Sequence, residues 1–111
     1  MAPRLSKSEA RIDWSGAALD ISNRIRAFNP WPVAFTFHRE ERIRVLAAAV
    51  AAYQENGAAA GTIVRADKRG VDVACGDGAL TLHCLQRDGG KALPAADFLN
   101  GYPIAVGERL G

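Results

Sequence analysis

The stretch that decides the fold is residues 14–37, which read WSGAALDISNRIRAFNPWPVAFTF. Its first half predicts a short amphipathic helix over Gly16–Phe28, because apolar residues recur at spacings of three and four and therefore share one face. Those residues are Ala18, Ile21, Ile25 and Phe28. Ser15 is suited to cap this helix, since its hydroxyl can accept a hydrogen bond from an unpaired N–H group of the first turn.

The second half predicts a stiff corner followed by a strand. Pro30 has no N–H group and disfavours helical backbone angles at Asn29, a residue type that tolerates a left-handed C-cap. Pro30 and Pro32 restrict the backbone on both sides of Trp31, so we expect its indole to be a packing anchor. Ala34–Phe37 has the β-branched and aromatic content of a strand. Helix, corner and strand together predict a packing nucleus.

Beyond residue 60 the chain predicts three short antiparallel strands between turn sequences. These strands are Thr62–Ala66, Val71–Cys75 and Leu80–Leu85. A two-residue turn at Asp77-Gly78 predicts that Val73 faces Leu82 in the hairpin. In the same register, Asp72 faces His83 on the opposite side of the sheet.

The turn between the first two of these strands, residues 67–70, has the sequence DKRG. This sequence suits a type I turn in which Gly70 adopts the left-handed conformation. The interpretation places Lys68 and Arg69 on an exposed, basic hairpin tip.

Two further segments complete the predicted elements. Residues 43–53, IRVLAAAVAAY, leave helix and strand open, because alanine has the highest helix propensity of any residue. Pro94 begins a second short helix, PAADFLNG, and residues 103–110 predict a closing strand with a bend at Gly107. We therefore expect a mainly β fold with short helices, in which five or six antiparallel strands close into a small barrel that removes their edges.

Composition bounds the functions. The 111 residues fit one soluble domain, and the net charge is only +2. Eight of the fourteen basic residues but five of the twelve acidic ones lie in residues 1–44, which permits a polyanion-binding face without requiring one. The first residues lack an apolar leader, and no window approaches eighteen apolar residues. We expect a cytoplasmic protein with no membrane partner.

The residues that carry chemistry are few. His38 is expected in a charged turn over residues 38–44, HREERIR, and His83 is expected to pair with Asp72 across two strands. Cys75 and Cys84 form no CxxC pair, and the predicted register separates them by roughly 13 Å, beyond the reach of a disulfide. The pattern predicts two reduced thiols, no metal site and no catalytic residue.

The run RIRAFNPWP at residues 24–32, preceded by ARIDWS at 10–15, resembles the C-terminal domain of the methionyl-tRNA formyltransferase family. The resemblance continues through residues 61–86 and 91–110. It implies an OB-like barrel over residues 14–111 and a strand over residues 43–53. It also implies that residues 1–13 are a linker from a missing N-terminal catalytic domain, and that the chain is an excised or separately encoded C-terminal domain.

The resemblance further implies a function. Enzymes of this family transfer a formyl group from 10-formyltetrahydrofolate to the amino group of methionyl initiator tRNA, using an Asn, a His and an Asp of the N-terminal domain. No residue here matches these, so we expect no cofactor in this domain and no activity from it alone. The domain would contact the tRNA backbone and the N-terminal domain of its own chain.

Phosphate contacts require Lys and Arg side chains. The candidate residues are Lys7, Arg11, Arg26, Lys68, Arg69 and Lys91, each of which has a solvated charge as its alternative role. Trp14 is a further candidate for stacking on a base. The near-neutral charge keeps a second hypothesis open, in which the barrel is a scaffold domain of a related formyltransferase that acts on a sugar nucleotide or another amine and touches no nucleic acid.

Overall fold

The computed structural model describes residues 10–29, 33–51 and 58–111. Within these ranges the elements are α1 Ala18–Ala27, β1 Phe35–His38, β2 Glu41–Val50, β3 Ile63–Asp67, β4 Gly70–Ala74, β5 Ala79–Arg87, β6 Leu93–Pro94 and α2 Ala95–Gly101. The strands form one antiparallel sheet in the order β1-β2-β5-β4-β3, and β6 pairs with β5. The predicted fold, mainly β with short helices, is confirmed. None of the described helices is long and apolar enough to cross a membrane.

The start of α1 differs from the prediction. Ala17 precedes the helix as its N-cap and makes no side-chain capping bond. The predicted cap at Ser15 is wrong, because both its backbone N–H and its hydroxyl donate to the carboxylate of Asp13, at 3.0 and 2.5 Å. The N–H of Ala18 donates instead to the carbonyl of Asp77, at 2.9 Å, so a distant loop satisfies the first turn.

The predicted apolar face of α1 is confirmed. Its four residues are buried and belong to or adjoin the core: Ala18, Ile21, Ile25 and Phe28. Phe28 is the C-cap, with φ −87° and ψ −5°, and the side chain of Asn29 donates to the carbonyl of Leu46 at 3.1 Å. The Pro-Trp-Pro corner, including the proposed anchor Trp31, lies outside the described residues.

The alanine-rich segment is a strand as far as Val50, which confirms the strand that the family resemblance implied and excludes the helical alternative; residues 52 and 53 lie outside the described residues. β2 runs from Glu41 to Val50 and pairs with β5 along most of its length, with irregular register between Val45 and Ala48. Inward positions such as Ile43 and Val45 are buried, whereas Ala47 is exposed. Cross-strand pairing therefore overrides the helix propensity of alanine.

The β4–β5 hairpin is offset by two residues from the predicted register. Val73 lies opposite Leu80, so the connection has four residues, 75–78, and the predicted pairing of Val73 with Leu82 is wrong. The reason is a tertiary contact: the N–H of Gly76 donates to the carbonyls of Trp14 and Gly16, at 2.9 and 3.0 Å. An offset of two keeps every side chain on its face.

The N-terminal segment packs against β1. Ala10, Ile12 and Trp14 are buried, and the N–H of Ile12 donates to the carbonyl of Phe35 at 2.8 Å. The indole N–H of Trp14 donates to the hydroxyl of Thr36 at 3.0 Å. This hydrogen bond satisfies both buried polar groups and holds the segment on the sheet.

Residues 103–110 do not form the predicted closing strand. Their backbone is irregular, yet it joins the two edges of the curled sheet. On the β3 side, the N–H of Leu110 donates to the carbonyl of Gly61 and that of Ile63 to the carbonyl of Glu108, both at 2.8 Å. On the β1 side, the N–H of Gly111 donates to the carbonyl of Phe37 at 2.9 Å. The sheet is therefore a half-barrel whose open side this segment spans.

Candidate nucleic-acid interface

The β3–β4 turn forms the predicted basic tip. Lys68 and Arg69 are exposed, and the backbone N–H of Arg69 donates to the carboxylate of Asp67 at 2.8 Å. Gly70 has φ +149°, and a Cβ at this position would lie 2.9 Å from the carbonyl oxygen of Leu82. Within the described ranges, neither basic side chain of the tip makes an ion pair. The tip therefore presents two uncompensated cations.

Lys91 lies at the same end of the sheet as this tip. β2 occupies one edge of β5, so β4 and β6 share the other: β4 pairs as far as Leu82, and β6 pairs from Cys84. Lys91 precedes β6 in the exposed connection after β5. The register thus places three of the candidate residues toward one end of the sheet: Lys68, Arg69 and Lys91.

The other candidates lie elsewhere. Arg26 is on the exposed side of α1, where its guanidinium donates to the side-chain carbonyl of Asn23. Arg11 lies beside β1, with its guanidinium 4.9 Å above the centre of the Phe37 ring. Lys7 lies outside the described residues. The stacking role considered for Trp14 is wrong, since only 4% of this residue is exposed.

Two basic residues that the sequence analysis missed lie on β2. Arg42 and Arg44 both donate to the same carboxylate oxygen of Asp88, at 3.0 and 2.9 Å. The hydrogen bond from Arg42, followed by the positive charges of Arg42 and Arg44, lowers the pKa of Asp88. The charged run HREERIR was interpreted as a turn, but the alternation Arg-Ile-Arg at its end is a strand signal that identifies both residues.

His38 is not in a turn; it is the last residue of β1 and is 1% exposed. Its Nδ1 lies 2.7 Å from the Tyr102 hydroxyl and its Nε2 lies 3.1 Å from Glu108 Oε2. Glu108 also pairs with Arg39. The backbone N–H of Ala105 donates to the carboxylate of Glu108, and this hydrogen bond is the largest cause of the lowered pKa of Glu108. The hydrogen bonds from His38 and Arg39 lower the pKa further. Through its contacts with Tyr102 and Glu108, His38 joins β1 to the C-terminal segment.

The predicted pair between Asp72 and His83 is also wrong. Asp72 is fully buried, accepts a hydrogen bond from the Thr81 hydroxyl at 2.6 Å, and forms an ion pair with Arg65 at 3.1 Å. His83 is exposed. The two-residue offset of the hairpin places Thr81, rather than His83, opposite Asp72.

The cysteines are both free thiols. Burial raises the pKa of Cys75 to about 11, so this thiol is protonated and unreactive near neutral pH. Among the described residues, no group of three His, Cys, Asp or Glu side chains is placed to hold a metal ion.

Comparisons with known proteins agree with this fold. The family model for the formyl transferase C-terminal domain matches residues 4–103. The chain is 50% identical over 99 residues to methionyl-tRNA formyltransferases of Xanthomonas campestris pv. campestris and Stenotrophomonas maltophilia. Each alignment covers 89% of this chain and 32% of the relative, so the chain spans about a third of the length of these relatives.

A solved structure supports the fold independently. The crystal structure of HypX from Aquifex aeolicus in complex with tetrahydrofolic acid matches with a TM-score of 0.74 and 18% identity. The match covers 96% of this chain and 19% of HypX, and at this identity it shows the fold alone. The curled antiparallel sheet, the family model and the relatives together show that the chain belongs to the formyl transferase C-terminal domain family.

Proposed function

We propose that this chain is the tRNA-binding C-terminal domain of a methionyl-tRNA formyltransferase. The observation that carries the proposal is the 50% identity to such enzymes over 89% of the chain. In this proposal the whole enzyme acts in the cytoplasm, where it transfers a formyl group from 10-formyltetrahydrofolate to the amino group of methionyl initiator tRNA. Residues 1–13 lead from an N-terminal catalytic domain into the domain, residues 14–111, and the last of them, residues 10–13, pack on β1.

The domain itself supplies binding and not chemistry. The catalytic Asn, His and Asp belong to the N-terminal domain in the family, and His38 is buried between Tyr102 and Glu108. We therefore propose that this chain binds no folate cofactor and is inactive alone. Its contribution is to hold the tRNA backbone so that the acceptor end reaches the catalytic domain.

Support for backbone binding comes from the end of the sheet where the tip lies. Lys68, Arg69 and Lys91 are exposed there, and within the described residues they make no ion pair. Such side chains neutralise phosphates, release counterions and carry no base preference. We propose that this end of the sheet follows the phosphate backbone of the tRNA.

The test is titration of the chain into fluorescently labelled initiator tRNA, followed by anisotropy at several salt concentrations. The logarithm of the binding constant falls linearly with the logarithm of the salt concentration. Replacing Lys68 and Arg69 together by Ala should make this slope less steep, by about 0.7 to 0.9 for each phosphate that the variant no longer neutralises. The matched control exchanges the two residues for each other, as Lys68→Arg with Arg69→Lys, which keeps the charge and should keep the slope.

The alternative is a scaffold domain that touches no nucleic acid. The near-neutral net charge of +2 favours it. Several arginines of the sheet are also paired with carboxylates, including Arg42, Arg44 and Arg87. If the chain does not bind initiator tRNA even at low salt, this alternative replaces the first proposal.

A further inference from the structure

The outer face of β1 and β2 carries aromatic and basic side chains side by side. Phe35 is paired with Arg44 and Phe37 with Arg42, and residues paired across strands project to the same face. Arg11 forms an isolated parallel β-bridge with Phe35, on the edge of β1 that does not pair with β2. The residues that alternate with them, such as Thr36 and Ile43, are buried. We call this surface the Arg–Phe face; its members are Arg11, Phe35, Phe37, Arg42 and Arg44.

The phenylalanine rings position two of the arginines. The guanidinium carbon of Arg11 lies 4.9 Å from the centre of the Phe37 ring, and that of Arg42 lies 5.7 Å from the centre of the Phe35 ring. The two rings contact each other edge to face, with centres 5.7 Å apart. A guanidinium above an aromatic ring keeps its N–H donors at its edge, where an anion can accept from them. Each ring thus holds one cation over its face.

The charges on this face do not balance. Its three arginines face a single carboxylate, that of Asp88, and within the described ranges Arg11 makes no ion pair. Arg42 and Arg44 are 34% and 28% exposed, and Asp88 is 49% exposed. One Asp88 oxygen accepts from both guanidiniums, at 3.0 and 2.9 Å. A phosphate oxygen is an acceptor of the same kind, so the pair of guanidiniums is already arranged to hold an anion.

We propose that the Arg–Phe face binds the sugar–phosphate backbone of RNA, a proposal that rests on the tRNA-binding function proposed above. Arg11 supplies an uncompensated cation, and Arg42 and Arg44 supply a two-guanidinium site for a phosphate. Asp88 is an internal anion that competes with the RNA for this site. The face is a second contact region, on strands other than those that carry the tip.

The first test replaces Arg11 by Ala in the full chain and repeats the anisotropy titration with labelled initiator tRNA. Removing one phosphate-binding side chain should weaken binding about five- to eightfold at 0.1 M salt, because each phosphate neutralised adds about 0.7 to 0.9 to the magnitude of the salt slope. The matched control is Arg87→Ala. Arg87 of β5 is paired with Ile43 of β2, so its side chain projects to the side of the sheet opposite the Arg–Phe face, where it lies over the ring of Tyr102.

The second test predicts a gain in affinity and not a loss. Asp88→Asn removes the competing charge, so binding should tighten and the salt slope should increase. Thermal melts of every variant check that the fold is retained. The proposal is overturned if Arg11→Ala and Arg87→Ala have equal effects, or if Asp88→Asn leaves affinity unchanged. Absence of binding by the unaltered chain would overturn the tRNA-binding function as well, whereas binding that depends only on Lys68 and Arg69 would overturn the Arg–Phe face alone.

Discussion

At the scale of single residues, Gly76 joins the β4–β5 connection to the N-terminal segment. A Cβ at this position would lie 1.8 Å from the carbonyl oxygen of Ser15, too close for any side chain. Gly76→Ala should therefore lower the free energy of unfolding by about 1–3 kcal/mol or more, since the backbone must move to relieve the overlap. Urea denaturation measures the change.

The control for this substitution is Gly101→Ala. Gly101 is the last residue of α2, and nothing lies within 4 Å of a Cβ placed there. Alanine is also the better helix former, so this variant should match or slightly exceed the stability of the unaltered chain. Equal losses in the two variants would contradict the close approach at Gly76.

Residue-level predictions succeeded where the signal was local. The period of the apolar residues is sufficient to predict the buried face of α1, because helical geometry alone decides which residues share a face. Ser15 and His38 failed for a common reason. In each case a sequence shows what a side chain can bond to, but not which partner it takes: Ser15 bonds to Asp13, two residues before it, and His38 contacts Glu108, which is distant in the chain.

At the scale of elements, the C-terminal segment is attached to β1 through Glu108. This carboxylate contacts His38 and Arg39 and accepts the N–H of Ala105, which lowers its pKa below the ordinary value of 4.5. A lowered carboxyl pKa stabilises the fold above the unfolded-state value, and this stability is lost as pH falls through the folded-state value.

Glu108→Gln should therefore reduce the melting temperature near neutral pH and have a smaller effect well below pH 4.5. Melting curves of the variant and the unaltered chain at both pH values measure this difference. Glu40→Gln is the control, because it removes an exposed carboxylate from the adjacent turn. A difference between Glu108→Gln and the unaltered chain that does not change with pH would contradict the role of the Glu108 charge.

Element-level prediction depended on the kind of pairing. The hairpin strands were identified from alternation and turn residues, but their register was offset because Gly76 bonds to a segment some sixty residues earlier in the chain. For β2, the residues alone left helix and strand open, and only the family resemblance indicated a strand. The segment after α2 has strand-like composition, but its backbone N–H and carbonyl groups form isolated hydrogen bonds to the β1 side and the β3 side of the sheet and no continuous strand pairing.

At the scale of the whole molecule, the mainly β antiparallel fold was predictable because pattern and resemblance agree on it, although the sheet is a half-barrel and not a barrel closed by strands alone. The arrangement of the candidate interface was not. The tip and Lys91 lie toward the same end of the sheet because β4 and β6 share one edge of β5, which is a consequence of the strand register. The Arg–Phe face depends in the same way on Arg11 lying beside Phe35, a contact between segments that no local pattern encodes.

Closure of the half-barrel should make the chain unfold as one unit. Leu110 is 7% exposed, and its carbonyl lies beside Gly61, which also approaches the Trp14 ring. Leu110→Ala should cost about 2–4 kcal/mol, because it removes core contacts and leaves a cavity. Urea unfolding followed by tryptophan fluorescence and by far-ultraviolet circular dichroism should show both signals shifting to the same lower midpoint.

The control is Val106→Ala, at a position 64% exposed in the same segment, which should change stability by no more than about 0.5 kcal/mol. If the two variants had equal stability, or if the fluorescence transition stayed in place while the dichroism transition moved, the C-terminal segment would not belong to the cooperative core.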